Sequence, residues 1–367
     1  MTTYVIRVLG PTQRHRISVF WRGITAIAAL LCQALFIFIS QASTAETRAI
    51  LIGVSQFDHL KITPLEGPKN DVMLMAATLQ ARGVPHKNVI RLVDSEAQHY
   101  QPTRTNILRV LAETAKTSRR NDLIIVYFSG HGAQVPQPKP VPKGRWIEPD
   151  GLDEVFLTRD TKLWDKRKQR VEGALLDDDI GVALAALTKR GVHVWAIFDT
   201  CHAGDMIRST TVSDGAPVLR GINATILGVP LAMVSATAID SPPPRTIRSS
   251  AMNSLVRQQV SMSKPLNGKL VAFYATQPDE AAPEELFPYP DSFIDLPSRT
   301  VNGRFGIFTW ELANAMRQSY GSYAELAKAI TAKYEARPFP TPLFEGDLAS
   351  SLVPDFRLLS KRSQVMQ

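Results

Sequence analysis

Two short stretches carry the residue types of a nucleophilic site. "YFSGHGA" sets His131 between Gly130 and Gly132, and "FDTCHAGD" places Cys201 directly before His202. A thiol becomes a usable nucleophile when an imidazole takes its proton or stabilises the thiolate. Glycines beside a histidine let backbone approach a substrate closely, and the N–H groups of Gly132 and Cys201 are candidates for an oxyanion hole. Cys201 also has a plain alternative as a small buried hydrophobe. His202 is a rival base, but adjacent strand-end residues point apart, which favours a structural role for it. His15, His59, His86, His99 and His193 have no partner signature and read as surface or packing residues. One cysteine with scattered histidines gives no zinc-ligand spacing.

The dyad requires residues 70 positions apart to converge, so the elements carrying them must be neighbours. Apolar runs of strand length occur at 49–54, 88–93, 123–129, 193–199 and 270–276. They are rich in Ile, Val and aromatics without strict polar alternation, as strands buried on both faces should be. Between them lie helix-length stretches at 70–83, 103–117 and 177–191, the first closed by Gly83. "FTWELANAMRQS" and "YAELAKAITAKYEA" are two later helix candidates. The alternation predicts a mostly parallel sheet with helices on both faces. Ligands of such sheets bind beyond the carboxyl ends of the strands, where "LIIVYFSG" and "HVWAIFDT" deliver His131 and Cys201. Residues 134–150, with five prolines, read as a loop, as do residues 207–268, where the apolar island 227–234 is a candidate short strand.

Composition narrows the compartment and the partners. Residues 24–39 form a largely apolar run of 16 behind a basic leader, and Ser43 and Ala45 fit a signal-peptidase site. Cleavage is expected after Ala45, with an uncleaved signal anchor as the alternative, although the run is short for a membrane span. The four arginines of this leader account for half of the formal charge, which falls from +8 to +4 without them. That mild excess is spread along the chain, so nucleic acid is not an expected partner. Of the two cysteines, Cys32 lies in the leader, which leaves Cys201 as the lone thiol of an exported chain. An oxidising compartment favours disulfides or no cysteine, so a lone thiol there calls for a function.

Taken together, "YFSGHG" and "DTCHAG" resemble the histidine and cysteine boxes of metacaspases, within the caspase-like cysteine peptidases. The resemblance runs in order through "AILIGVSQF" and "LEGPKND", "DGLDEVFLTRD", "LLDDDI", "ATQPDEAAPE", "GIFTWELANAM" and "PTPLFEGDL", covering about residues 48–350. It implies a caspase-like three-layer α/β sandwich with a central sheet of about six strands. Cys201 is then the nucleophile and His131 the acid/base, with peptide hydrolysis proceeding through a thioester. It further implies an S1 pocket lined by Asp71 and Asp199 and hence cleavage after Arg or Lys, consistent with a carboxylate's pairing preference. Asp71 has a second reading as a helix N-terminal charge, and Asp199 as a residue orienting the strand end. Calcium is the one cofactor left open. Asp153, Asp177 and Asp178 match a calcium cluster of some members, but Arg208 stands where a further aspartate would be. The "DDD" run also reads simply as a helix start.

The expectation is therefore a bacterial, exported member of the family, periplasmic or secreted, or anchored to the inner membrane if its leader persists. Residues 1–45 are the leader, 46–360 a single peptidase domain split by the 207–268 loop, and 361–367 a tail. Polypeptides with a basic P1 residue are the expected partners, and a monomer the expected state. Arg208, Arg220, Arg245, Arg248, Arg257 and Lys264 are candidate maturation cuts within the loop. A catalytically silent binding or scaffold module is the alternative function, and a non-peptidase thiol hydrolase a third.

Overall fold

The computed structural model describes residues 45–143, 145–148, 150–201, 217–234, 268–277, 280–289, 302–335, 337 and 340–351. The leader, His202, Arg208 and most of the 207–268 loop lie outside these residues.

Successive apolar runs become strands β1 (Thr47–Gly53), β2 (Val89–Val93) and β3 (Leu123–Gly130). Helices α1 (Gly67–Ala81) and α2 (Arg104–Thr117) connect them. Beyond β3 the chain forms β4 (Gly132–Pro136), β5 (Leu152–Phe156) and the short strands β6 (Trp164–Asp165), β7 (Arg170–Val171) and β8 (Leu175–Leu176). It returns through α3 (Asp177–Lys189) to β9 (His193–Thr200). The second half contributes β10 (Val218–Leu219), β11 (Leu270–Tyr274), β12 (Pro283–Pro288), β13 (Asn302–Gly306), α4 (Ile307–Ala315), α5 (Tyr323–Tyr334) and β14 (Leu343–Gly346).

Among the described residues the central sheet has six strands in the order β14-β11-β9-β3-β1-β2. All neighbours are parallel except β14, which pairs antiparallel with β11. Strand periodicity divides the side chains between two cores. Leu123, Ile125 and Tyr127 of β3 face α1, α4 and α5 through Val72, Met75, Leu312 and Ile330. Ile124, Val126 and Phe128 face α2 and α3 through Ile107, Val110, Leu184 and Leu187. Both faces are thus dry, which is why these strands lack polar alternation. Thr103 caps α2 by accepting from Asn106 N–H at 3.3 Å, and Asp177, Asp178 and Asp179 occupy the first turn of α3.

Two loop expectations need correction. The proline-rich stretch begins inside β4, because Gly132–Pro136 pairs antiparallel with β5, and its first proline ends the strand. The apolar island 227–234 forms turns and one helical turn instead of a strand. Pro230 O accepts from both Met233 and Val234 N–H, and Leu227 and Val229 pack into a third core with Trp164.

Candidate active site

The register of β3 against β9 pairs Gly130 with Thr200, so His131 and Cys201 each follow the last paired residue of adjacent strands. Neighbouring strands lie about 4.8 Å apart, which sets the two residues side by side at the carboxyl end of the sheet. Both glycines beside His131 are required by backbone geometry. Gly130 has φ +156°, which L side chains rarely adopt. A Cβ on Gly132 would stand 1.8 Å from the Cys201 carbonyl oxygen.

The imidazole of His131 is buried, with Nδ1 3.0 Å from the Arg220 carbonyl oxygen, a backbone hydrogen bond to Thr63 and the ring of Phe57 beside it. Burial lowers its pKa to about 4, outweighing those hydrogen bonds. The Cys201 thiol is also buried and receives the Ala282 N–H at 2.5 Å. Burial pushes this thiol up to about 12. In this closed arrangement the pair is neutral thiol and neutral imidazole at neutral pH.

Beside the pair lies a pocket of three buried carboxylates. Asp71, on the first turns of α1, accepts from Ser129 Oγ at 2.8 Å and Gly306 N–H at 2.9 Å. Asp199, near the end of β9, accepts from Thr309 N–H at 3.0 Å and from the Thr309 hydroxyl at 2.5 Å. Glu284 of β12 accepts from Gly67 N–H at 3.2 Å. The two aspartates expected in S1 are therefore brought together, and Glu284 joins them unanticipated. It stands at the end of "ATQPDEAAPE", one of the stretches that carry the family resemblance.

The pocket holds the guanidinium of Arg220, which is fully buried. Its terminal nitrogens lie 2.6 Å from Asp71, 2.9 Å from Asp199 and 3.4 Å from Glu284. Desolvation raises Asp71 to about 7 despite Arg220, with the Asp199 charge adding to the rise. Burial raises Glu284 as well. Three carboxylates in a dry pocket demand a cation, since each unpaired buried charge carries a penalty of several kcal/mol. Pocket walls are close: a Cβ on Gly67 or Gly306 would lie 2.5 or 2.6 Å from the guanidinium. The arginine main chain is held too. Gly132 N–H donates to Arg220 O at 3.0 Å, and Arg220 N–H donates to Ala282 O at 2.9 Å.

The three calcium candidates regroup. Asp153 accepts from Gln137 Nε2 at 2.8 Å, while Asp178 accepts from Trp146 N–H at 3.3 Å and lies 3.8 Å from Arg145. Asp177 instead joins Glu148 and Glu154, with one carboxylate oxygen from each within 4.8 Å of the others. Burial and the neighbouring carboxylates raise Asp177 well above the usual range, and its Oδ2 has no hydrogen-bond partner among the described residues. This is a hard-oxygen donor set that fits a divalent cation.

Comparison with known proteins agrees with this architecture. A family model described as the caspase domain matches residues 46–346. Metacaspase-1 of Candida albicans is 32% identical over 161 residues, 44% of this chain and 34% of that protein. Metacaspase-1A of Aspergillus terreus is 27% identical over 311 residues, spanning 80% of this chain and 70% of the relative. Metacaspase-1 of Emericella nidulans is 27% identical over 328 residues, covering 86% and 73%. Protein GSU0716 of Geobacter sulfurreducens shares the fold, with a TM-score of 0.53 and 20% identity over 86% of this chain and 99% of its own. The chain belongs to the caspase-domain family. Within that family its curated relatives are metacaspases, and the protein is a cysteine-type peptidase.

Proposed function

We propose that this peptidase cuts polypeptides after Arg or Lys, with Cys201 as nucleophile and His131 as acid/base. The observation that carries the specificity is the arginine guanidinium buried among Asp71, Asp199 and Glu284. A neutral or acidic P1 side chain would leave that charge unmatched. In the acylation step His131 takes the thiol proton as Sγ attacks the scissile carbonyl. The resulting oxyanion faces Gly132 N–H, with Cys201 N–H as the second donor expected from its strand-end position. The amine leaves with the proton from His131, and water then hydrolyses the thioester by the reverse proton path.

The test is a panel of arginyl, lysyl and aspartyl reporter peptides. Arginyl and lysyl peptides are expected to be cut, Cys201→Ala to be inert and Asp199→Ala to lose at least a hundredfold in kcat/KM. Full activity in Cys201→Ala, or preference for the aspartyl peptide, overturns the reading. Labelling of Cys201 by an arginyl electrophile separates it from a silent binding module. The chemistry needs no cofactor. Calcium enters as a proposed activator held by Asp177 with Glu148 and Glu154, and its signature is a calcium-dependent rise in Tm that Asp177→Asn removes. Export remains part of the proposal, resting on the leader's composition and the lone thiol.

A further inference from the structure

We propose that Thr309 is a positioning residue of the acidic pocket, holding Asp199 in place through a hydroxyl relay that starts at Tyr127. The proposal rests on the reading of this pocket as the seat of a basic side chain, and names what aims one of its acids. Asp199 gives its two carboxylate oxygens to different partners. Oδ2 accepts from the Thr309 N–H at 3.0 Å and from the Thr309 hydroxyl at 2.5 Å. Oδ1 lies 2.9 Å from a terminal nitrogen of Arg220, and no other donor meets it among the described residues. One oxygen is thus held by the protein, which leaves the other for the guanidinium.

The direction of the relay follows from counting protons. A threonine hydroxyl has one proton to give, and an ionised carboxylate only accepts. Thr309 therefore donates to Asp199 and accepts from its other partner, the Tyr127 hydroxyl. Burial raises Tyr127 well above the usual phenol range, so it remains a neutral donor. Tyr127, Thr309 and Asp199 are all fully buried, and hydrogen bonds so shielded from water polarise one another. Tyr127 and Ser129 alternate along β3 and share one face of the strand. Ser129 donates to Asp71 at 2.8 Å, so one strand serves both aspartates, the second of them through Thr309.

The backbone of α4 repeats the arrangement. The helix begins behind Gly306, which has no side chain to cap it, and its first turn carries no acid. Its unpaired N–H groups go to the pocket instead, Gly306 to Asp71 at 2.9 Å and Thr309 to Asp199. The positive end of α4 therefore faces both carboxylates. A threonine that only filled space could be valine. Here its N–H and its hydroxyl converge on one oxygen of a pocket residue.

The experiment measures agmatine binding by calorimetry to Arg220→Gln, whose pocket lacks its arginine, with and without a second substitution. In this background Thr309→Val is expected to weaken agmatine about tenfold or more, through loss of a charge-assisted hydrogen bond. Thr309→Ser keeps the hydroxyl and should bind within about twofold of the parent. Tyr127→Phe should weaken binding about threefold and add little to Thr309→Val, because the two act through one relay. In the wild-type background Thr309→Val should raise KM for an arginyl reporter about tenfold while kcat falls less than about threefold, and this arm carries the test if Arg220→Gln does not fold. Unchanged agmatine affinity in Thr309→Val, or a loss that Thr309→Ser shares, overturns the role given to Thr309 and leaves the pocket reading standing. So does a fall in kcat at unchanged KM. Failure of agmatine to bind a folded Arg220→Gln at all overturns the pocket reading itself.

Discussion

His131 and Cys201 are ordinary residues made unusual by dehydration. With its folded pKa near 4 against 6.5 when exposed, His131 stays neutral in the fold and takes up a proton on unfolding at mildly acidic pH. The unfolded chain therefore binds the extra proton, so this stability is complete above about pH 6.5 and is lost as pH falls toward 4. The shift corresponds to about 3 kcal/mol at most, and chemical denaturation of His131→Asn across this range should lack that component. Asp71 has the opposite sign. Raised to about 7, its contribution is complete below about pH 4 and is lost as pH rises through 7. Glu284 was the residue that local reading missed. It stands 64 positions from Arg220 and 217 from Gly67, separations at which spacing carries no information.

At the level of elements, the register of β3 on β9 does the positioning, and the glycine after His131 makes it sterically feasible. Gly132→Ala would put a Cβ 1.8 Å from a backbone oxygen that cannot rotate away. Equilibrium denaturation of that variant should show a loss of roughly 3 kcal/mol, together with loss of reporter hydrolysis. The strands and helices of the sheet were readable because burial on two faces imposes uninterrupted apolar runs, and helix faces repeat at 3.6 residues. The start of the 134–150 stretch was not readable in this way. Its strand is the edge partner of β5, and only pairing with residues 152–156 distinguishes it from a loop.

Across the whole molecule, the chain supplies a ligand for its own pocket. Removing Arg220 should therefore create a vacancy for a free guanidinium. In a thermal-shift titration, agmatine is expected to raise the Tm of Arg220→Gln and leave wild type unchanged. At a hundredfold excess over Kd the stabilisation is about 2.7 kcal/mol. Equal responses of the two proteins would show that Arg220 does not occupy the site in solution.

By itself the sequence put His131 and Cys201 at the ends of neighbouring strands of a mostly parallel sheet, and it named two of the three acids that surround Arg220. Those follow from strand ends and box motifs, which are local patterns recurring at short range. Only the tertiary structure decided that "FSGHGA" meets the Arg220 carbonyl, that Glu284 closes the pocket and that Asp177 groups with Glu148 and Glu154. Arg220 was one of six basic candidates in its loop, alike in composition and spacing. Folding singles it out because the gathered carboxylates compensate the burial of its whole guanidinium, and the gathering spans 149 positions of chain between Asp71 and Arg220.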